Sequence, residues 1–552
     1  MKRVQTVIDR WLSAIFKTPY LPDLTLLIWV LPIVLLRSSQ QSLMAHDEGI
    51  YATQARSILQ TGDWITPQWG SGYSFDRTIG IQWLIAVCYR VFGVSEGTAR
   101  LPSAIAFVVS VLLTYRIGVR LLNPRLAWLG AAIFSVIPLV VQYGRLATQD
   151  SVLMCVELIG IWALLEAETV KRWAVLAGAM FGTGFMIKGF MIIPATIALL
   201  PYFVVQRRQL INGWLYFGLG IGLIAPVAWL WAATQQYGNA PIAELFGKLF
   251  HLKGQTYQGA GWFYYFWNIP ANGFPWVFFA LFGLWLMLFH AQIRAFVKAN
   301  RARSLLIGYP IVLLIELTLF GTKTHYYPLQ LMPFVGLWSA IALDHLAQLY
   351  RQNKRTQSLS GLNLAVGGAA IVLLVVTLTR SRFVAAFNIR SSAIDSISLV
   401  GVAIGLGWIS LPVIWILRDR VSQAESARQW LAAWLLTSWL ALSIMHITGL
   451  WGNYEAKLKT FLTQATVEPI LRSHSISFVV NDDQLSRDDR KRYLLLNFYT
   501  PRIGQIIENP KILPNTDYAW IDPNLAKTPG LTYQSIATFE GWMLGKRWQR
   551  AE

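Results

Sequence analysis

Asp47 and Glu48 stand side by side in "MAHDEGIYATQARSILQTGDWITPQW", residues 44 to 69, directly after the first long apolar run of the chain. Carboxylates that water can reach, screened by a following helix and by Trp64 and Trp69, are suited to taking a proton from an attacking hydroxyl or amine. Asp150, after "YGRLATQ", is a second acidic position that could orient a nucleophile, hold a metal ion or favour a helix N-terminus. Arg77, Lys188 in "MIKGF", Lys248, and Lys323 in "GTKTHYYP" are the complementary class. Such cations bind phosphate and stabilise charge on a departing oxygen through charge-assisted hydrogen bonds. Asp76, Arg145, Glu244, His251, His325 and Tyr326 complete the candidate set, and a divalent metal ion at Asp47, Asp76 or Asp150 is one option among several.

These residues are far apart in sequence, so the elements between them must bring them together. Of 552 residues 55% are hydrophobic and 14% charged, which points to a polytopic membrane protein. Apolar runs of roughly 16 to 23 residues recur between short polar connections, the length a helix needs to cross a bilayer core of about 30 Å. The segment 79–94, "IGIQWLIAVCYRVFG", is short and carries Gln82 and Arg90, so a helix lying in the interface suits it better than a crossing. About 13 transmembrane helices then remain between 22 and 450, with spans expected over 126–143, 173–187, 189–205 and 268–290 among others. With the N-terminus inside, each cytoplasmic connection carries Lys or Arg, as at Arg116, Arg120 and Arg125 or at Arg207 and Arg208.

The expected layout is a cytoplasmic amphipathic lead over 1–21, a transmembrane domain over 22–450 with a first external loop at 38–100, and an extracytoplasmic α/β domain over 451–552. The candidate site residues all fall on the extracytoplasmic side, in a multi-pass protein of the plasma (inner) membrane. The net charge of +19 is dispersed over the connections, which fits anionic membrane lipids rather than nucleic acid. Cys88 and Cys155 lie in apolar segments and read as small core residues.

Neither a GxGxxG nor a Walker A pattern occurs, so no nucleotide cofactor is expected, and HExxH, CxxC and GxSxG are also absent. Acids and cations together, at membrane depth, suit chemistry on a lipid-linked phosphate. The same charges would serve a transporter or flippase that moves a lipid-linked sugar without breaking a bond, but its signs, inverted repeats and matching broken spans, are not seen.

The stretch "HDEGIYATQARSILQTGDWITPQW" resembles the first-loop signature of the aminoarabinose (lipid A) transferase and protein O-mannosyltransferase family, D-E-x-x-Y-A followed by G-D-W-x-x-P. "SFDRTIGIQWLIAVCYRVFGVSEGTARLPSAI", "QDSVLM", "IKGF", "GWFYYFWNIPANGFPW" and "GTKTHYYPLQLMP" extend the resemblance over roughly residues 40 to 350. It implies a GT-C glycosyltransferase that moves a sugar, usually with inversion, from a polyprenyl-phosphate donor to a lipid or protein acceptor. Asp47 would then be the catalytic acid residue with Glu48 beside it, Asp150 the second acidic site, and Arg77 and Lys188 would face the phosphate. The sequence departs from the family where E-K-P-P becomes Asp76-Arg77-Thr78-Ile79. It departs again where Leu245 follows Glu244, leaving Lys248 as the cation. Arg in place of Lys presents a planar fork rather than a point charge.

Overall fold

The computed structural model describes residues 18, 20–69, 72–254, 260–300, 304–352, 356–386, 392–481, 484–507, 516–527 and 533–547, so most of the 1–21 lead lies outside it. Helices dominate up to Ile447, as a chain with this apolar content requires, because only internal hydrogen bonding satisfies the backbone in lipid. Among the described residues seven helices are long and apolar enough to cross a membrane, and up to 10 if each of three bent pairs is one span. The bends fall at breaks the sequence supplies. Pro124–Phe134 meets Pro138–Gly144 at 68°, and Tyr264–Asn272 meets Trp276–Phe289 at 112°. The span expected over 268–290 therefore begins only at Trp276, since Pro275 has no N–H with which to continue the preceding helix. The helical run Lys171–Ile197 reverses at Gly189, whose φ is 54°. Lys188 pairs with Asp150 at the start of helix Gln149–Ala167, whereas Tyr202 donates to Glu168 at its far end, 2.8 Å away.

The two ends of the helical body differ chemically. At one, Arg116 donates to Asp23 at 2.7 Å and Arg120 to the Leu165 carbonyl at 2.8 Å. At the other, the N-termini of helices Glu96–Leu121 and Gln149–Ala167 meet the first loop, which is itself folded. The loop holds helix Asp47–Thr61, a two-stranded hairpin pairing Gln68–Trp69 with Gly72–Tyr73, and helix Gly80–Phe92. With 13 residues that last helix spans only about 20 Å, too little to cross. It buries Ile81, Ile85 and Tyr89 and exposes Leu84, Val87 and Val91. Ser95 and Thr98 form a reciprocal capping box that starts the next helix at Glu96.

Close helix approach sets the loop against the body. Gly178 and Gly182 of helix Ala174–Lys188 face Gly218 and Gly222 of helix Gly213–Tyr237, and a Cβ at Gly178 would lie 1.9 Å from the Leu215 carbonyl. Small residues are what allow membrane helices to touch along their backbones. Helix Gly213–Tyr237 then carries the hairpin through ring contacts of Tyr73 and Phe75 with Tyr237, at 4.6 and 5.2 Å, and a Trp229 indole bond to the Ile65 carbonyl at 2.9 Å.

Beyond Trp451 the chain forms a five-stranded mixed sheet in the order 503–507, 476–479, 518–521, 542–547, 533–539. Strand Ile476–Val479 is parallel to both neighbours and buried throughout, Ser477 included. Helix Arg487–Tyr499 lies against loop helix Asp47–Thr61. The Arg56 guanidinium donates to the carbonyls of Phe498, Thr500 and Pro501, each at 2.7 Å, closing that helix's carboxyl end with a cation.

Glu48 and Arg100 join these parts. Arg100 donates to both oxygens of Glu48, at 2.8 and 2.9 Å, and to the carbonyls of Ser38, Gln41, Ser42 and Gly452. Glu48 also accepts from the Met44 and Ala147 amides, each at 2.8 Å. With Glu48 0% and Arg100 1% exposed, neither charge has a second source of solvation. Arg100→Met is expected to destabilise the protein by roughly 3–5 kcal/mol by leaving a buried carboxylate unpaired. Thermal unfolding in detergent checks this, and an unchanged midpoint would rule the clamp out as a stabilising element.

Candidate functional site

Helix geometry divides the adjacent acids. Residues 47 and 51 lie one turn apart on one face of helix Asp47–Thr61, while Glu48 points about 100° away, toward helix Glu96–Leu121. Asp47 is partly exposed, and its nearest charged partners stand back: Arg77 at 3.7 Å and His46 at 3.5 Å. Glu48, expected beside Asp47 as a catalytic acid, is enclosed instead: each of its oxygens accepts two hydrogen bonds and none of it is exposed.

Arg77 is the centre of the charged cluster. It donates to the Tyr51 hydroxyl at 2.7 Å and lies 5.3 Å from the centre of that ring. It also stands between Asp47 and Asp76, 3.6 Å from the latter. Asp76 in turn pairs with Lys248 and accepts from Ser74 at 3.1 Å. On the opposite wall Lys188 pairs with Asp150 and lies 4.8 Å from the Tyr326 ring and 5.6 Å from the Tyr327 ring. His325 shares a hydrogen bond with the Tyr143 hydroxyl at 3.0 Å, and the Tyr143 and Tyr326 rings are 5.2 Å apart. The sequence candidates Asp47, Asp76, Arg77, Asp150, Lys188, Lys248, His325 and Tyr326 are therefore gathered from the first loop and four later segments.

Other candidates are placed elsewhere. Arg145 does not line the cluster; its guanidinium donates to the carbonyls of Ile33, Val34 and Leu36 and closes the end of helix Leu21–Leu35. Glu244 accepts from the Phe75 amide at 2.7 Å and so holds the loop backbone next to Asp76. Lys323 donates to the Phe320 carbonyl at 2.7 Å, with its ammonium 5.9 Å from the Trp262 ring. The His251 side chain lies outside the described residues. Tyr327, which the sequence offers beside Tyr326 in "GTKTHYYP", joins the cluster. Tyr51, Tyr143 and Gln330 were not read from sequence as site residues, and among them Tyr51 carried a usable signal, its position one helical turn after Asp47.

Among the described residues no three His, Cys, Asp or Glu side chains gather as a metal-binding group. Asp47, Asp76 and Asp150 instead each face a cation, so the donor set does not fit a divalent ion. Electrostatics follow the same pairing. Burial would raise the Asp47 carboxyl, but the hydrogen bond with His46 and the charges of Arg77, His46 and Lys188 outweigh it and hold the group below the usual 3.8. Burial likewise works against Asp76, and Lys248 and Arg77 overcome it in the same direction. Desolvation, reinforced by Arg77, lowers Lys248. The arrangement is a carboxylate open to water beside cations held by aromatic rings and counter-charges: an acid-base group next to an anion site.

A carboxylate with a depressed pKa contributes its charge above its unfolded value and loses it as pH falls through the folded value. Asp47 is therefore expected to impose an acid limb on activity below pH 3.8. Arg77→Gln should move that limb to higher pH, because a favourable charge beside the carboxylate is gone. A pH–rate profile of the two proteins tests this, and coincident limbs would separate Arg77 from Asp47.

Known proteins share this architecture. A family model described as dolichyl-phosphate-mannose-protein mannosyltransferase matches residues 76–231. Undecaprenyl phosphate-alpha-4-amino-4-deoxy-L-arabinose arabinosyl transferase 2 of Pseudomonas fluorescens is 27% identical over 449 residues, covering 75% of this chain and 72% of that protein. The crystal structure of ArnT from Cupriavidus metallidurans bound to undecaprenyl phosphate superposes with a TM-score of 0.70 at 16% identity, covering 96% and 98% of the two chains. The apo oligosaccharyltransferase of Archaeoglobus fulgidus gives a TM-score of 0.50 at 13% identity, over 90% of this chain and 65% of that one.

Proposed function

We infer that this chain is a membrane glycosyltransferase of the aminoarabinose transferase family, with the GT-C fold, moving a sugar from a polyprenyl-phosphate donor to an acceptor. The observation that carries the reading is the side-by-side placement of an open carboxylate, Asp47, and the cations Arg77, Lys188 and Lys248. The names of the relatives favour transfer with bond cleavage over a transporter or flippase, and favour an aminopentose on undecaprenyl phosphate as donor with a lipid A-like acceptor over a protein.

The donor phosphate would lie among the three cations, where charge-assisted hydrogen bonds accept the negative charge that develops as the glycosidic C–O bond breaks. The electron pair of that bond stays on the phosphate, a leaving group that needs no proton. An acceptor oxygen attacks the anomeric carbon from the opposite face, which inverts it, and a hydroxyl acceptor gives its proton to Asp47. Asp150 holds Lys188 in place rather than touching the sugar. The carboxylates that flank the cations would release them toward the phosphate as it arrives.

The basic connections at the far end of the helical body support a plasma-membrane orientation in which that end is cytoplasmic. The site, the folded first loop and the C-terminal sheet domain then face the extracytoplasmic side. About thirteen crossings, counting the return of the chain after Gly189 as its own span, keep this arrangement consistent.

Sugar transfer in reconstituted vesicles tests the reading. Asp47→Asn is expected to lower turnover by roughly 10²–10⁴-fold while the protein stays folded. The measured product is free polyprenyl phosphate. Donor consumption at the wild-type rate by the variant would remove Asp47 from the chemistry, and lipid movement without any release would return the transporter.

A further inference from the structure

Glu157 is a buried carboxylate that this reaction does not use. It lies on helix Gln149–Ala167, seven residues beyond Asp150 and so on the same face, in a segment expected to be inside the bilayer. Ionisable side chains at such depth are costly, rare and normally engaged with a partner. Glu157 is 2% exposed, and its Oε1 accepts from Gln330 Nε2 at 2.7 Å.

Gln330 connects this bond to the charged cluster. It belongs to the short 3₁₀ turn Tyr327–Leu331, which starts one residue after Tyr326. Gln330, Tyr326 and Tyr327 line one narrow cleft together with Asp150 and Lys188. The two tyrosine rings flank the Lys188 ammonium, while Asp150 holds it from the other side. A 3₁₀ turn has poorer internal hydrogen bonding than an α-helix, so its placement depends on side-chain anchors. The bond from Gln330 to Glu157 fastens this turn to the same helix that carries Asp150. One rigid helix thereby positions both the counter-ion of Lys188 and the aromatic wall against it.

We propose that Glu157 is a positioning residue for the phosphate-binding lysine: its hydrogen bond to Gln330 holds the Tyr326–Tyr327 turn against Lys188. The proposal rests on the reading of Lys188 as a ligand of the donor phosphate. Its consequence is specific. Loss of the bond loosens the anion site and lowers donor affinity without touching the carboxylate that activates the acceptor.

The test is equilibrium binding of undecaprenyl phosphate to the purified full chain in lipid nanodiscs, with thermal unfolding recorded for each variant. Glu157→Leu and Gln330→Leu should each weaken binding on the order of tenfold, as expected for the loss of one buried hydrogen bond. The double variant should be no weaker than either single one, because both remove the same bond. Glu157→Gln keeps an acceptor oxygen and should bind within about twofold of wild type. In turnover, the leucine variants should lower kcat/KM for the donor, while the acid limb set by Asp47 stays where it is in wild type.

Lys188→Gln separates the two ideas. If it loses affinity while both leucine variants bind as wild type, the positioning role falls and the anion site stands. Independent, multiplying effects of the two leucine changes, or a Glu157→Gln loss as large as that of Glu157→Leu, would also overturn the positioning role. Unchanged affinity in Lys188→Gln would overturn the anion site itself, and the proposal with it. Should Glu157→Leu fail to fold, Gln330→Leu, which removes the same bond from the other side, gives the same reading.

Discussion

The buried pair of Glu48 and Arg100 is the constraint on which the rest of the structure depends. A carboxylate and a guanidinium withdrawn from water are tolerable only when nearly every oxygen and N–H is matched. Arg100 supplies its fork to Glu48 and to four carbonyls, and Glu48 takes two backbone amides besides. The partners come from the end of the first apolar segment, the loop helix, helix Glu96–Leu121, the turn before Asp150, and residue 452 near the sheet domain. Satisfying one pair of charges thus fixes where five parts of the chain meet. Asp47, next in sequence to the clamp, inherits a fixed place without entering it.

The same logic, a cation satisfied by carbonyls, recurs around the site. Arg56 closes the helix of the sheet domain, and Arg145 closes helix Leu21–Leu35. Both arginines neutralise the negative end of a helix at a junction between elements. Lys459 adds a further tie between the sheet domain and the loop, pairing with Glu96 and donating to the Gln40 carbonyl at 2.9 Å. The sheet domain is therefore fastened to the first loop, not merely tethered after the last helix.

Within the cluster, charge is arranged so that the cations can be close together. Arg77, Lys188 and Lys248 repel one another, and each has a carboxylate and, for Arg77 and Lys188, an aromatic face that reduces the repulsion. The tyrosines are part of this balance, since their rings attract the ammonium and guanidinium without competing for a phosphate. An anion entering between the cations would meet a field that the protein has assembled in advance, which is how preorganised sites stabilise developing negative charge.

Much of this was legible in the sequence. Membrane-length apolar runs and the change of composition after residue 450 follow from local physics, which can be read one segment at a time, and the first-loop motif was legible as a resemblance to a family. Asp47, Arg77, Asp150 and Lys188 could be nominated because charges at the edge of a bilayer are expensive wherever the chain goes. Tertiary structure alone decided which of two adjacent acids is open, because a rotation of about 100° along a helix turns one toward water and the other toward Arg100. It also decided that Arg145 and Glu244 brace backbone, and that Gln330 links Glu157 to the lysine cradle. Those roles depend on partners more than a hundred residues away, and no local pattern encodes a distance across the fold.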